Sequence, residues 1–412
     1  MHQQSIPSVN GYLIKLIACC YFFVLMLSAC NNATTEQHGF ITTLGNDTIA
    51  VESVSRKDNT VTSDEVDRFP AVRVRHTVID LNTDGSIKHL VMDIHTPGEP
   101  SNQRDRKVTV DVADNKVHIS KTDSSGTVKR DFATGGAIVE GHVPQMYSLY
   151  ELYFAAALKN AAASKLAAGT PVQVRQFYID REFDQFPLGR GRVTSLGNGK
   201  AEITHDWLSG TGEATIDSNY QMQNYSGNRT TYKVQVIRLN SSPDIKNIAE
   251  HFEDVEAKKG IVRSLSVHDT AHAQIGNALL SIDYSRPLLR GRKLLGDVIP
   301  YDRVWRTGAN AATQFTTSVA IKIAGLQVPA GTYALWTVPH TNSVDLIIDK
   351  QTGQWGTDYT GKQNLGIVKM TSEELTTPVE EFTISITPVG AHHGTLVMEW
   401  GLFKWTAPIE IL

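Results

Sequence analysis

The sequence predicts a mainly β protein made of two antiparallel β-rich domains: a curved sheet or half-barrel with one helix, then a β-sandwich, joined by an amphipathic helix. Three observations carry this. Short runs that alternate apolar and polar residues recur along most of the chain, each bounded by turn residues. Helical spacing of apolar residues is confined to two places past residue 40, near 149–156 and near 245–255. Composition is that of a globular chain: of 412 residues, 41% are hydrophobic and 20% charged, enough for two or three compact domains.

Taken in order, residues 1–29 read as a leader. Lys15 is the single formal positive charge of the first fifteen residues, and residues 16–27 form an unbroken apolar run. That run is too short for a comfortable membrane span and right for the apolar region of a signal peptide. It ends in Leu27-Ser28-Ala29-Cys30, which resembles the lipobox of bacterial lipoprotein signal peptides. The resemblance implies that the Cys30 thiol is acylated and becomes the new N-terminus. Each buried CH₂ of such an anchor contributes about 0.8 kcal/mol. Residues 30–38 are polar and read as a tether. By analogy with enterobacterial sorting, Asn31 after the cysteine favours the outer membrane, facing the periplasm or the cell surface. All three cysteines, Cys19, Cys20 and Cys30, lie in the first thirty residues. The folded part therefore holds no disulfide and no thiolate zinc site. A net charge of −4 with no basic stripe argues against nucleic acid as a partner.

The first domain is placed at 39–240. Residues 72–79 and 87–94 pair across Asp84-Gly85, and 108–112 with 117–119 around Asp114-Asn115. A strand at 172–177 follows. Residues 191–195 and 201–207 pair across Gly197-Asn198-Gly199, and 232–239 closes the set. Leu149, Leu152, Tyr153 and Ala156 fall at helical spacing in an alanine-rich segment that ends near Gly169. One helix among many strands suggests a curved sheet wrapped around it or plugged by it. This resembles the half-barrels of bacterial envelope lipid carriers. His76, His89, His95, His118 and His205 read as solvent-facing strand positions. His89 and His95 stand too far apart along one strand to share an ion. Residues 180–184, Asp-Arg-Glu-Phe-Asp, read as a solvated loop before Pro187.

Residues 241–262 form the connector. Ser242 reads as a helix N-cap with Pro243 at the first position. Ile245, Ile248, Ala249, Phe252 and Val255 then make one apolar stripe, and Gly260 a stop. A stripe of that kind packs on a neighbouring domain. The second domain, 263–412, shows strand runs at 279–284, 315–323, 332–338, 344–348, 382–386 and 396–400, separated by turns, which favours a two-sheet sandwich. Within the second run Val319, Ile321 and Ile323 share one face. The pair His392-His393 reads as a hairpin tip.

Residues 301–313, Tyr-Asp-Arg-Val-Trp-Arg-Thr-Gly-Ala-Asn-Ala-Ala-Thr, are the chief functional candidate: a loop carrying polar groups beside a strand. With Asp283-Tyr284-Ser285-Arg286-Pro287, Gly291-Arg292, Pro329-Ala330-Gly331-Thr332-Tyr333 and Gln354-Trp355-Gly356, this stretch resembles the bacterial family called domain of unknown function 2911. The resemblance covers 277–403 and implies a fold and an address without a reaction. The family usually places a glutamate after the asparagine, where this chain has Ala311. Trp305, Arg306, Asn310, Tyr284 and Trp355 are the candidate ligand-binding residues. Arg306 can clamp a carboxylate or phosphate, or can be held by Asp302 or Asp283. Trp355 or another indole in an open groove is a platform for a sugar ring or an apolar ligand.

No nucleophile elbow, phosphate-binding loop, zinc signature or dinucleotide fingerprint occurs. The sequence therefore reads as a lipid-anchored cell-envelope protein that binds a glycan, a lipid or an envelope protein, with no cofactor and no metal. Two alternatives stand beside this: a hydrolase acting on glycan or peptide around Asp302, Arg306 and Asn310, and a lipid or lipoprotein carrier using the first domain.

Overall fold

In a computed structural model, residues 35–412 are described, except 70, 180–187, 207 and 260–263. The leader, Cys30, the acidic segment at 180–184, Trp207 and Gly260 lie outside the described residues.

Fifteen strands hydrogen-bond into the N-terminal sheet. They are β1 (Glu36–Leu44), β2 (Asp47–Lys57), β3 (Thr60–Asp67), β4 (Arg73–Leu81), β5 (Ile87–His95), β6 (Asp105–Ala113), β7 (Lys116–Asp123), β8 (Gly126–Ala133), β9 (Ile138–His142), β10 (Pro171–Tyr178), β11 (Gly189–Gly197), β12 (Lys200–His205), β13 (Leu208–Ile216), β14 (Met222–Ser226) and β15 (Gln235–Leu239). Three helices accompany them: α1 (Ser101–Arg104), α2 (Tyr147–Ala163) and α3 (Ile245–Lys259). The sheet runs β8 to β1 in reverse chain order, then β15 down to β9, with a parallel β9–β10 pair at its end. The Asp114-Asn115 turn is a two-residue hairpin with both φ angles positive, 52° and 59°, as the twist of the flanking strands demands.

The sheet curls because both of its arms bury residues against one helix. Val61, Leu90 and Val110 on one arm and Val174, Ile203 and Ile216 on the other share a single core with Leu149, Tyr153 and Phe154 of α2. Tyr147, Tyr150, Tyr153 and Phe154 thereby fill the concave side, where a carrier would keep open space. Cross-strand spacing orders the start of α2 from a distance. Its N-cap residue Met146 offers no side-chain cap. Instead the buried Glu52 of β2 accepts the backbone N–H groups of Tyr147 (2.8 Å) and Ser148 (3.0 Å). Its other oxygen takes the hydroxyls of Ser63 and Ser148. A carboxylate at the positive end of a helix satisfies donors that the helix cannot.

The alternation read at 72–79 is present, with an inverted sense. Arg73 and Arg75 point inward and are 5% and 1% exposed. They are held there by cross-strand partners: Arg75 to Glu65 (2.5 Å) and Asp67 (2.7 Å), and Arg73 to Asp67 (2.7 Å). Val72 faces the other way and is covered by α3, whose Ile245, Ala249 and Phe252 pack on Val51, Val66 and Val72. The helix cap is Asp244, whose carboxylate takes the Asn247 N–H at 3.1 Å, two residues past the serine read as the cap. At the other end of the chain segment, Glu36 to His38 are the first residues of β1, although the polarity of 30–38 reads as tether.

Nine strands form the C-terminal sheet: β16 (Ser266–Ile275), β17 (Ala278–Pro287), β18 (Thr313–Thr317), β19 (Ile321–Ile323), β20 (Leu326–Val328), β21 (Gly331–Pro339), β22 (Val344–Asp349), β23 (Asn364–Pro388) and β24 (His393–Ile411). The order is β16-β17-β18-β21-β22-β23-β24-β19-β20. The long β23 pairs first with β22 and then with β24, while β16 and β17 lie across it, so one continuous sheet doubles over into two layers. Ile282, Phe315, Leu335, Leu346, Phe382 and Trp400 fill the space between. The run read as one strand at 315–323 is two. Thr317 Oγ1 donates to Val319 O, the chain leaves β18, and Ile321 joins β24 in the other layer.

The two sheets meet at Arg290. Its carbonyl accepts the N–H of Asn46 (2.9 Å), its guanidinium donates to Asp47 (2.8 Å) and to Leu265 O (3.2 Å), and its own N–H donates to Glu380 (2.7 Å).

Candidate functional site: an arginine loop on the C-terminal sheet

The loop at 301–313 runs along β21, where Asp302 N–H donates to Pro339 O at 2.9 Å, and on into β18. Its left-handed residues, Asp302, Thr307 and Asn310 with φ between 52° and 58°, let it fold back on itself. Thr313 Oγ1 donates to Thr307 O at 2.6 Å, and Trp305 exchanges both backbone hydrogen bonds with Thr337 of β21. A second loop, 353–358, locks onto the first: Gly356 N–H donates to Asn310 O at 3.0 Å, and Ala312 N–H to Gln354 O at 3.2 Å. Gly356 is required there, since a Cβ at that position would lie 2.1 Å from Arg306 Cδ. The arginine stem therefore lies flat against this backbone.

Arg306 is half-buried, and burial alone holds its guanidinium below the usual arginine range. The two carboxylates that the sequence offered as partners are engaged elsewhere: Asp302 with His340 (2.5 Å) and Asp283 with His268 (2.9 Å). Among the described residues no hydrogen bond or ion pair reaches the Arg306 guanidinium. Burial without a counter-charge disfavours the cation, and a bound anion would relieve that. Asn310 stands beside it with its amide 3.4 Å from Ser285 Oγ. Trp355 is 54% exposed and pairs through its backbone with Ala311, so an open indole face adjoins the loop.

Of the other two candidates, Tyr284 is a core residue and Trp305 is half-buried against the core. Tyr284 is 3% exposed, and its hydroxyl is taken by the backbone N–H of Ile384 at 2.9 Å. Trp305 stacks on Trp400 with ring centroids 5.8 Å apart and meets Phe382 edge-on at 5.0 Å. Both support the loop from beneath and leave Arg306, Asn310 and Trp355 on the outside. Trp336, Trp400 and Trp405 are buried. His392 and His393 lie at the β23–β24 hairpin tip. Among the described residues, no group of three or more His, Cys, Asp or Glu side chains could hold a metal ion.

Of the strand histidines, His76, His89, His95 and His118 face solvent, each with Nδ1 on a cross-strand aspartate at 2.6–2.9 Å. His205 does not. It is buried, hydrogen-bonds Tyr150 at 3.4 Å, and is pushed down to about 4 by desolvation. It belongs to a buried polar group under α2 that periodicity could not reveal. Glu140 is 0% exposed, with neither carboxyl oxygen hydrogen-bonded, and burial drives it well above the carboxylate range. Gln176 pairs with it across the β9–β10 ladder, and Tyr153 Oη is also unpartnered. Two glycines of β11 make room for tyrosine hydroxyls: a Cβ at Gly191 would lie 1.8 Å from Tyr153 Oη, and one at Gly189 2.6 Å from Tyr178 Oη. The signal in the sequence was the Gly189-Arg190-Gly191 pattern, small residues on the inward face of a strand.

The fold and this loop define a two-sheet β protein with a half-buried arginine and an exposed tryptophan on its second sheet. Residues 266–409 match the family model described as "Protein of unknown function (DUF2911)", as the motifs around the loop imply. No curated protein matches the chain. Among solved structures the chain is similar to a DUF1089 family protein from Pseudomonas aeruginosa, at 15% identity over 45% of this chain and 92% of that one, with a TM-score of 0.34. It is also similar to a beta-barrel-like protein of domain of unknown function DUF1849 from Brucella abortus, at 11% identity over 51% and 97%, with a TM-score of 0.32. Neither likeness bears on function.

Proposed function

We propose that this chain is a lipid-anchored bacterial cell-envelope protein whose C-terminal sheet binds an anionic group through Arg306. The observation that carries the binding half is the half-buried guanidinium, which has no carboxylate partner among the described residues. Arginine presents a planar fork suited to carboxylate or phosphate oxygens. Trp355 beside it supplies a flat face for the rest of the ligand, a sugar ring or an apolar group. Asn310 supplies an amide that both donates and accepts.

The anchoring half rests on Leu27-Ser28-Ala29-Cys30 after the apolar run. Among the described residues, no helix is long and apolar enough to cross a membrane. The layout is consistent with a presenting role. β1 begins at Glu36, next to the tether, and ends at Leu44, next to the Arg290 junction. Nine residues of strand span about 30 Å, so the N-terminal sheet would hold the binding loop away from the anchor.

The test is a thermal titration of the Cys30-free protein with inorganic phosphate and with acetate. Wild type is expected to melt higher in phosphate, with the rise growing as the logarithm of concentration and reaching about 2.7 kcal/mol at a hundredfold excess over Kd. Arg306→Ala should abolish the rise, and Arg306→Lys, which keeps charge and loses the fork, should keep part of it. An equal rise in Arg306→Ala would remove the site from this loop.

A further inference from the structure

β8 ends the N-terminal sheet, bonded to β7 on one side and, among the described residues, to no strand on the other. β9, at the sheet's other end, lies against β5, so the two ends do not close on each other. Every residue of β8 is exposed except Phe132, which is half-buried. The usual guards of a sheet edge are few here. β8 is as long as β7, holds no proline and pairs with β7 without a bulge.

The β7–β8 hairpin fixes which backbone groups face outward. Asp123 and Gly126 close the turn, and past the other end Thr134 N–H donates to Asn115 O at 2.8 Å. Hydrogen-bonded pairs recur at every second residue of an antiparallel ladder. The even-numbered residues of β8 therefore bond to β7, and Thr127, Lys129, Asp131 and Ala133 turn their N–H and C=O groups to the open side. The side chains on the outer face are also patterned. Asp80, His89, Asp111, His118 and Asp131 stand opposite one another in turn across β4 to β8. His89 Nδ1 is 2.7 Å from Asp111, and His118 Nδ1 is 2.9 Å from Asp131. The row stops on a carboxylate at the free edge, where a cation on a further strand would extend it.

We propose that β8 pairs antiparallel with β8 of a second copy of this chain, Lys129 of each opposite Asp131 of the other. The outward residues Thr127, Lys129, Asp131 and Ala133 then supply the hydrogen bonds. The ion pair forms twice about the two-fold axis, as an isologous contact requires. Each lysine continues the other copy's row of acids and imidazoles. Sliding the partner strand to the next bonded register, in either direction, sets lysine against lysine or aspartate against aspartate. On the opposite face Val128 meets Phe132 of the second copy. Arg130 lies on the axis and meets its own copy, a like-charge contact that keeps the association weak. The pairing depends on neither the anchor nor the anion site.

Sedimentation velocity of the Cys30-free protein over a range of concentrations tests this. The wild-type protein is expected to pass reversibly from monomer to dimer as concentration rises. Lys129→Pro removes an outward N–H and no bond to β7, so it should abolish the dimer and leave the monomer's melting temperature nearly unchanged. Asp131→Lys sets lysine against lysine twice and should weaken the dimer by about tenfold, and adding Lys129→Asp should recover it. Arg130→Thr replaces the like-charge contact with a β-branched pair and should tighten the dimer. Arg306→Ala should dimerise as the wild type does. A protein that stays monomeric at every concentration overturns the inference. So does a dimer that survives Lys129→Pro, or one that the charge exchange does not restore. If Lys129→Pro fails to fold, the charge exchange decides.

Discussion

At the scale of single residues, what distinguishes this molecule is charge without a partner. Arg306 is one case. Its loss removes no ion pair, only packing of its stem on Gly356, so Arg306→Ala is expected to lower stability by no more than about 1 kcal/mol in a denaturant melt. A larger loss would make it a structural residue. Glu140 is the converse: a buried carboxyl without a hydrogen-bond partner, whose charged form burial disfavours. Its folded pKa is raised, so its contribution to stability is full below the unfolded value near 4.5 and is lost as pH rises toward and through the folded value. Glu140→Gln should therefore raise the melting temperature, by more at pH 8 than at pH 5. His205 runs the opposite way. Its folded value near 4 is depressed from 6.5, so its contribution is present above about 6.5 and lost as pH falls to about 4. His205→Gln should flatten that acid limb by roughly 3 kcal/mol, read from melting temperatures across pH 4–7. An unchanged acid limb would mean that the imidazole is already hydrated.

At the scale of elements, α2 is held by its strand contacts more than by its own sequence. Glu52→Ala takes the acceptor from two backbone donors and two hydroxyls, and is expected to cost about 3 kcal/mol, with hydrogen exchange rising first at Tyr147 and Ser148. Gly191→Ala should destabilise through the Tyr153 hydroxyl, and less so in a Tyr153→Phe background, because that hydroxyl has no partner to lose. Additive effects in the double variant would contradict the geometry. These elements also mark how far the sequence could be read. Hairpins with glycine or asparagine turns, the helix around 149–156, which ends at Ala163 and not near Gly169, and the stripe of α3 were legible, because each rests on local chemistry. Other strands were not. Much of the first half of β23 is exposed, and the Thr371-to-Glu381 stretch is polar, so it shows no alternation to read. β4 alternates, yet its arginines face inward because Glu65 and Asp67 on the next strand neutralise them. A pairing between strands sets that face, and a single strand's pattern does not contain it. The same limit applies to the site: the loop and Arg306 were visible as motif, whereas the burial of Tyr284 and the packing of Trp305 depended on Phe382 and Trp400, some eighty to a hundred residues later.

At the scale of the whole molecule, Arg290 joins the two sheets through four hydrogen bonds, with Asp47 and Asn46 on one side and Glu380 on the other. Arg290→Ala is expected to split a single calorimetric transition into two, one for each sheet; a single transition shifted downward would mean that other contacts couple them. If the N-terminal sheet is a spacer for the binding loop, uncoupling should leave anion binding unchanged. The central claim is that the Arg306 loop is a receptor for an anionic ligand, and native mass spectrometry of protein purified from its native source tests it most directly. The wild-type protein should retain an anionic molecule that Arg306→Ala lacks. The same molecule retained by both proteins would contradict the claim.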